Sequence, residues 1–315
     1  MTGLLVLEQL LNGLQFGLML FLLAAGLTLV FGVMDMINLA HGSLYMVGAF
    51  LAAWLVALTG SFVVGVLGAV LLTGLFGMLL ESGLLRSLYL RDHLSQVLAT
   101  YALILILNDG VKMLFGNDLP LSAPDALAGS VQLLPGLYYP AYRLLILGVG
   151  LLLALLLYLL VQKTRLGALV RAGASNREMS VAMGVDITRL FTLVFGLGAA
   201  LCAVAGALLG PLLAVQVGMG ENILILAFVV IVIGGIGSIR GALIGSLLVG
   251  LTSSQTFRWN TGPRVRVTGA YLAIVRRLPT TGARLDWEGR LGAGQPISGL
   301  TGSLFASGEY AARFS

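Results

Sequence analysis

Long apolar runs, each near the roughly 20 residues needed to cross a bilayer, recur along the first 250 positions and are separated by short polar stretches. They cover about Leu10 to Val33, Leu44 to Leu58, Ser61 to Leu80, Leu94 to Phe115, Tyr142 to Val161, Leu190 to Leu213 and Ile223 to Ile236. A further run from Gly241 to Leu251 stops too soon to span. The pattern predicts an all-α, polytopic helical membrane protein with about seven to eight transmembrane helices. Small residues four apart, as at Gly13 and Gly17 or Gly206 and Gly210, let such helices approach closely in lipid.

The polar interruptions carry more information than the runs. Asp35, Asn38, His41 and Ser43 lie close together between two apolar stretches. A carboxylate at the bilayer centre costs roughly 2.5–3.5 kcal/mol on insertion scales. Asp35 is therefore expected at an interface, or at a broken helix facing a protein-lined cavity. Asp109 and Lys112 stand three apart and can pair on one helix face. Residues 116–141 hold four Pro, two Asp and no base, which suits an external loop. Residues 163–189 form a polar island with Lys163, Arg165, Arg171, Arg177 and Arg189 against Glu178 and Asp186. Its basic excess places it in the cytoplasm, with the short loop 86–93 and Arg240. Three spans precede the first basic loop, so the N-terminus is expected outside. Gly237, Gly241 and Gly245 repeat every four residues and predict a tight turn followed by a glycine-lined helix interface.

Composition agrees with a membrane chain. Apolar residues make up 58% and charged residues 10%, against about 25% charged in soluble domains. The net charge of +5 comes wholly from residues 253–315, which hold eight Arg and three acids, so it argues for no nucleic-acid partner. The expected domains are thus 1–252, a transmembrane body, and 253–315, a basic Gly/Arg-rich tail without a regular fold. No cleavable signal is expected, since Glu8 precedes a first run too long for one. The two histidines, His41 and His93, are far apart, and the one cysteine, Cys202, suits a small buried hydrophobe, so no metal is expected. No phosphate-binding glycine loop and no catalytic constellation is present, which predicts passage and partner contact rather than catalysis.

Three stretches in order then resemble one family. Gly26 to Gly48 resembles the opening signature of branched-chain amino acid ABC transporter permeases. The island from Thr164 to Leu190 resembles their cytoplasmic coupling loop, and Ile233 to Leu251 their late glycine-rich segment, with Arg240 where Pro is usual. The resemblance implies one half of a heterodimeric channel in the bacterial inner membrane. It also implies a second permease subunit, two cytoplasmic ATP-binding subunits and a periplasmic binding protein that delivers Leu, Ile or Val. This chain would bind no cofactor; the partner ATPases would use the ATP. The ATPase-coupling residues it implies are Arg171, Glu178 and Gly184. For the substrate pathway it points to Asn38 and His41, with Asp35 at a gate or interface; the alternative is that Asn38 and His41 satisfy backbone groups at a helix break. The competing functions are a permease of the same build for urea or short amides, and a stand-alone secondary transporter or channel.

The resemblance implies a completed span after residue 241 and at least one more, yet beyond residue 252 no window reaches spanning length, so the last span or spans are read as lost or frameshifted. Nine glycines, eight Arg and no Lys suit either out-of-frame translation of a G/C-rich gene or a basic tail lying on anionic lipid.

Overall fold

A computed structural model describes residues 2–36, 38–89 and 91–253. The tail reading at 253–315 lies essentially outside the described residues. Ten α-helices account for most of the described chain: α1 (Thr2–Met34), α2 (His41–Thr59), α3 (Phe62–Gly83), α4 (His93–Phe115), α5 (Ala141–Lys163), α6 (Arg165–Ser175), α7 (Arg177–Ala182), α8 (Ile187–Leu213), α9 (Met219–Gly234) and α10 (Ile239–Ser253). Six of them (α1 to α5 and α8) are long and apolar enough to cross a membrane, while α9 and α10 are shorter apolar helices.

Side-chain size decides which helices are central. α8 carries Gly196, Gly198, Ala199, Cys202, Ala203, Gly206 and Ala207, all small. Its neighbours α1, α2 and α3 therefore come close enough for backbone contact. A Cβ at Gly206 would fall on the Tyr45 carbonyl of α2, and one at Gly26 of α1 would lie 3.0 Å from the Gly198 carbonyl. By contrast, α3 and α5 present Leu71, Leu75, Leu79, Leu151 and Leu155 outward. Faces apolar on the outside as well as the inside belong in lipid.

The loops sort to two ends. At one end the chain pairs Asp118–Leu119 with Val215–Gln216 as short antiparallel strands β1 and β4. The same loop folds a hairpin, β2 (Ser130–Leu134) with β3 (Leu137–Pro140). Sequence pattern gave only a Pro-rich loop there; Gly136 at φ +90° makes the turn. Tyr139 and Arg143 reach Asn12 near the start of α1 at this end. The other end gathers the basic segments: Arg86 bonds Thr192, and Arg240 reaches Tyr158.

Candidate pathway and coupling surface

The chain breaks between α1 and α2. α1 ends at Met34, and Asp35 follows with φ +51°, a left-handed conformation that L residues other than glycine adopt at a cost. The segment then doubles back. His41, the first residue of α2, packs its ring against Gly26 and Gly198, with Nε2 3.0 Å from Cys202 Sγ. Gly26 lies about 13 Å up α1 from Asp35 at helical rise. By His41 the chain has therefore passed from the basic end into the bundle. Non-helical backbone survives at such depth only when protein covers it. Here Asn38 and His41 have no exposed surface, and Asn38 Oδ1 accepts from Ala40 N at 3.0 Å.

Several buried polar atoms at this place are unspent. Asn38 Nδ2, His41 Nδ1 and, on the same face of α2, Tyr45 Oη lack hydrogen-bond partners. The Leu23 backbone lies beside the His41 ring, short of hydrogen-bond geometry. A second helix end meets them: a Cβ at Gly42 would fall on the Gly220 carbonyl at the start of α9, and Gly218 N–H reaches Met46 Sδ at 3.3 Å. α9 thus starts below the other connections at its end. Glu221, in its first turn, accepts from Asn108 Nδ2 at 2.8 Å.

Asp35 stands apart from Asn38 and His41. It is exposed and lines a cavity of about 710 Å³ at the basic end, together with Arg171, Arg177, Gly237 and Ser238. The structure thus brings Asp35 to Arg171 of the polar island, and Asn38 and His41 to the buried break. Arg171 also donates to the Val161 carbonyl at the end of α5. Asp109 and Lys112 are exposed and form no ion pair among the described residues; Asn108 bonds Glu221 instead.

The polar island folds as two short helices. Asn176 caps α7, accepting from Met179 N at 2.8 Å. Gly184 at φ +83° ends it: its N–H bonds the Val181 carbonyl, and Val185 N–H bonds Ser180. This pair of bonds is a Schellman closure, which favours glycine at that position. The outcome is a rigid one-and-a-half-turn peg. It presents Glu178, Met179 (62% exposed), Val181 and Met183 (78% exposed) to solvent.

Gly237 lies in the α9–α10 turn, and Gly241 and Gly245 lie on α10 against α9. Gly237 has φ +78° and faces Gly32 of α1. A Cβ at Gly241 would fall on the Gly234 carbonyl, and one at Gly245 would lie 2.9 Å from the Val230 carbonyl. Farther along α10, Ser246 and Gly250 cross Gly17 and Gly13 of α1.

Sequence reasoning missed Glu81. It sits in the last turn of α3 with no exposed surface, and its carboxylate takes bonds from Arg86, Tyr89 and Thr192. No groups of three or more His, Cys, Asp or Glu able to hold a metal occur among the described residues.

Small-residue helices around a buried polar break, with a stiff exposed peg at one end, define a multi-pass membrane transport permease rather than an enzyme. Residues 9–273 match the branched-chain amino acid transport system permease component, and the chain belongs to that family. The match runs past the 252 boundary drawn from composition. The chain is 34% identical to the high-affinity branched-chain amino acid transport system permease protein BraD of Pseudomonas aeruginosa, over 79% of this chain and 85% of the relative. It is 29% identical to LivH of Escherichia coli K12, a permease of the same description, over 88% and 94%. A probable LivH of Methanocaldococcus jannaschii is 32% identical over 75% and 76%. No solved structure matches.

Proposed function

We propose that this chain is the permease half of an ATP-driven importer for leucine, isoleucine and valine in the bacterial inner membrane. The observation that carries this reading is the similarity to branched-chain amino acid permeases along nearly the whole body. It works with a second permease subunit, two ATP-binding subunits on the basic, cytoplasmic end, and a binding protein at the opposite end. ATP is hydrolysed by the partners.

The geometry supports a division of labour. α7 is short, capped at both ends and exposed, so it can seat in a groove as a rigid body. Glu178 sits in its first turn, where a carboxylate suits the helix dipole. Asn38 and His41 line the substrate route, where unspent polar groups meet two helix starts. Asp35 and Arg171 both line the cavity at the inner mouth.

The test is uptake of radiolabelled leucine by vesicles holding the complete importer. Uptake should need ATP and the binding protein, and Glu178→Arg should lower capture of the ATP-binding subunits about tenfold or more. Uptake by the purified chain alone would sink this reading in favour of a stand-alone channel.

A further inference from the structure

We infer that the Glu81 carboxylate and the Tyr89 hydroxyl form a relay that ties motion of α7 to the α1–α2 break. The inference rests on the reading of α7 as the ATPase contact and goes beyond it by naming what passes the movement on.

Burying a carboxylate at the edge of a membrane body is costly unless donors surround it. Glu81 is fully buried and carries four hydrogen bonds. Tyr89 Oη donates at 2.6 Å and Thr192 Oγ1 at 2.5 Å. The Arg86 guanidinium closes the set, with its terminal nitrogen 3.0 Å from Oε2. These donors come from the α3–α4 connection and from α8. One carboxylate therefore locks three segments at the basic end.

The lock is joined to both working parts. On one side the Arg177 guanidinium, at the first residue of α7, stacks 4.7 Å above the Phe191 ring of α8. Phe191 meets Tyr89 edge to face at 5.3 Å. On the other side the Tyr89 hydroxyl touches Met34 Sδ at 3.6 Å. Met34 is the last residue of α1, next to the left-handed Asp35 that opens the break. α7 thus reaches the break through Phe191 and Tyr89, with Glu81 fixing the Tyr89 hydroxyl. Burial, and then the bond to Glu81, pushes the Tyr89 phenol above its ordinary range, so it remains a donor at physiological pH. A fixed aromatic lever on a buried anchor moves as a body, whereas separate exposed side chains would absorb the movement.

The test uses the complete importer in proteoliposomes, comparing amino acid moved with ATP hydrolysed. Tyr89→Phe keeps the ring on Phe191 and removes the hydroxyl, and with it the bond to Glu81 and the contact with Met34 Sδ. Its melting temperature in detergent should fall, since the buried Glu81 loses one of its donors, while its capture of ATP-binding subunits should match the parent. Amino acid moved per ATP should fall about fivefold or more. Glu81→Gln should fall in the same direction, and Arg177→Ala combined with Tyr89→Phe should lose no more than the worse single variant. A Tyr89→Phe importer with the parent's ratio overturns the relay, as do Arg177 and Tyr89 effects that simply multiply. Glu178→Arg run alongside separates the two failures. If it leaves ATPase capture intact, the docking reading and the relay fall together. If it abolishes capture while Tyr89→Phe stays coupled, only the relay falls.

Discussion

Single residues here act through what they hold in place. Asp92 caps α4, accepting from Ser95 Oγ at 2.6 Å and Ser95 N at 3.2 Å. The Ser95 hydroxyl, then the Ser95 N–H, holds the Asp92 carboxyl below its ordinary value of 3.8. A carboxyl depressed in the folded state stabilises above its unfolded pKa, and that contribution disappears as pH falls through the folded value. Lowering pH from 7 to 3 should therefore destabilise the parent more than Asp92→Asn, which keeps an acceptor but does not titrate there. Parallel melting curves in detergent across that range check this; identical pH slopes would refute it. Glu81 shows the opposite visibility. At the end of an apolar run it resembles any interfacial acid, and its decisive partner, Thr192, is 111 residues away.

Among elements, the contacts that matter are backbone to backbone. α2 and α9 meet at Gly42 and Gly220, where a Cβ on Gly42 would fall on the Gly220 carbonyl and lie 2.9 Å from Leu224 Cβ. Neither backbone can yield. Gly42→Ala should cost about 1–3 kcal/mol and lower uptake, as overpacked cores do. A Cβ on Gly68 of α3 would meet only the flexible end of Leu55, at 2.7 Å. Gly68→Ala should change stability by less than about 0.5 kcal/mol. Thermal unfolding of the two variants side by side checks the contrast, and equal losses would contradict it. The every-fourth glycine pattern was legible as helix contact, because small residues have that use in lipid. Which helix each faces was not, since spacing within one element names no partner.

For the molecule as a whole, charge and connectivity agree. The basic segments gather at one end and the acidic or neutral loops at the other, as their alternation along the chain implies. Cys202 is buried, so a Cys202→Ser background leaves any introduced thiol as the reporter. Ser130→Cys in the hairpin should react with an impermeant maleimide from outside intact cells. Met183→Cys beside α7 should react only after the membrane is opened. Labelling of both from the same side would overturn the two-ended arrangement.

The sequence by itself determined the class: the lengths of the apolar runs, the sidedness of the loops, the polar island and its closing glycine. These are local or summed properties, fixed by the cost of polar groups in hydrocarbon and by the charge asymmetry of membranes. Tertiary structure alone decided the rest. It brought His41 to Cys202 across 161 residues and set the start of α9 against Gly42. It separated Asp35 from Asn38 and His41 and closed four hydrogen bonds on Glu81. Those outcomes depend on which small-residue faces fit together in three dimensions, and periodicity along one strand of sequence carries no record of the partner face.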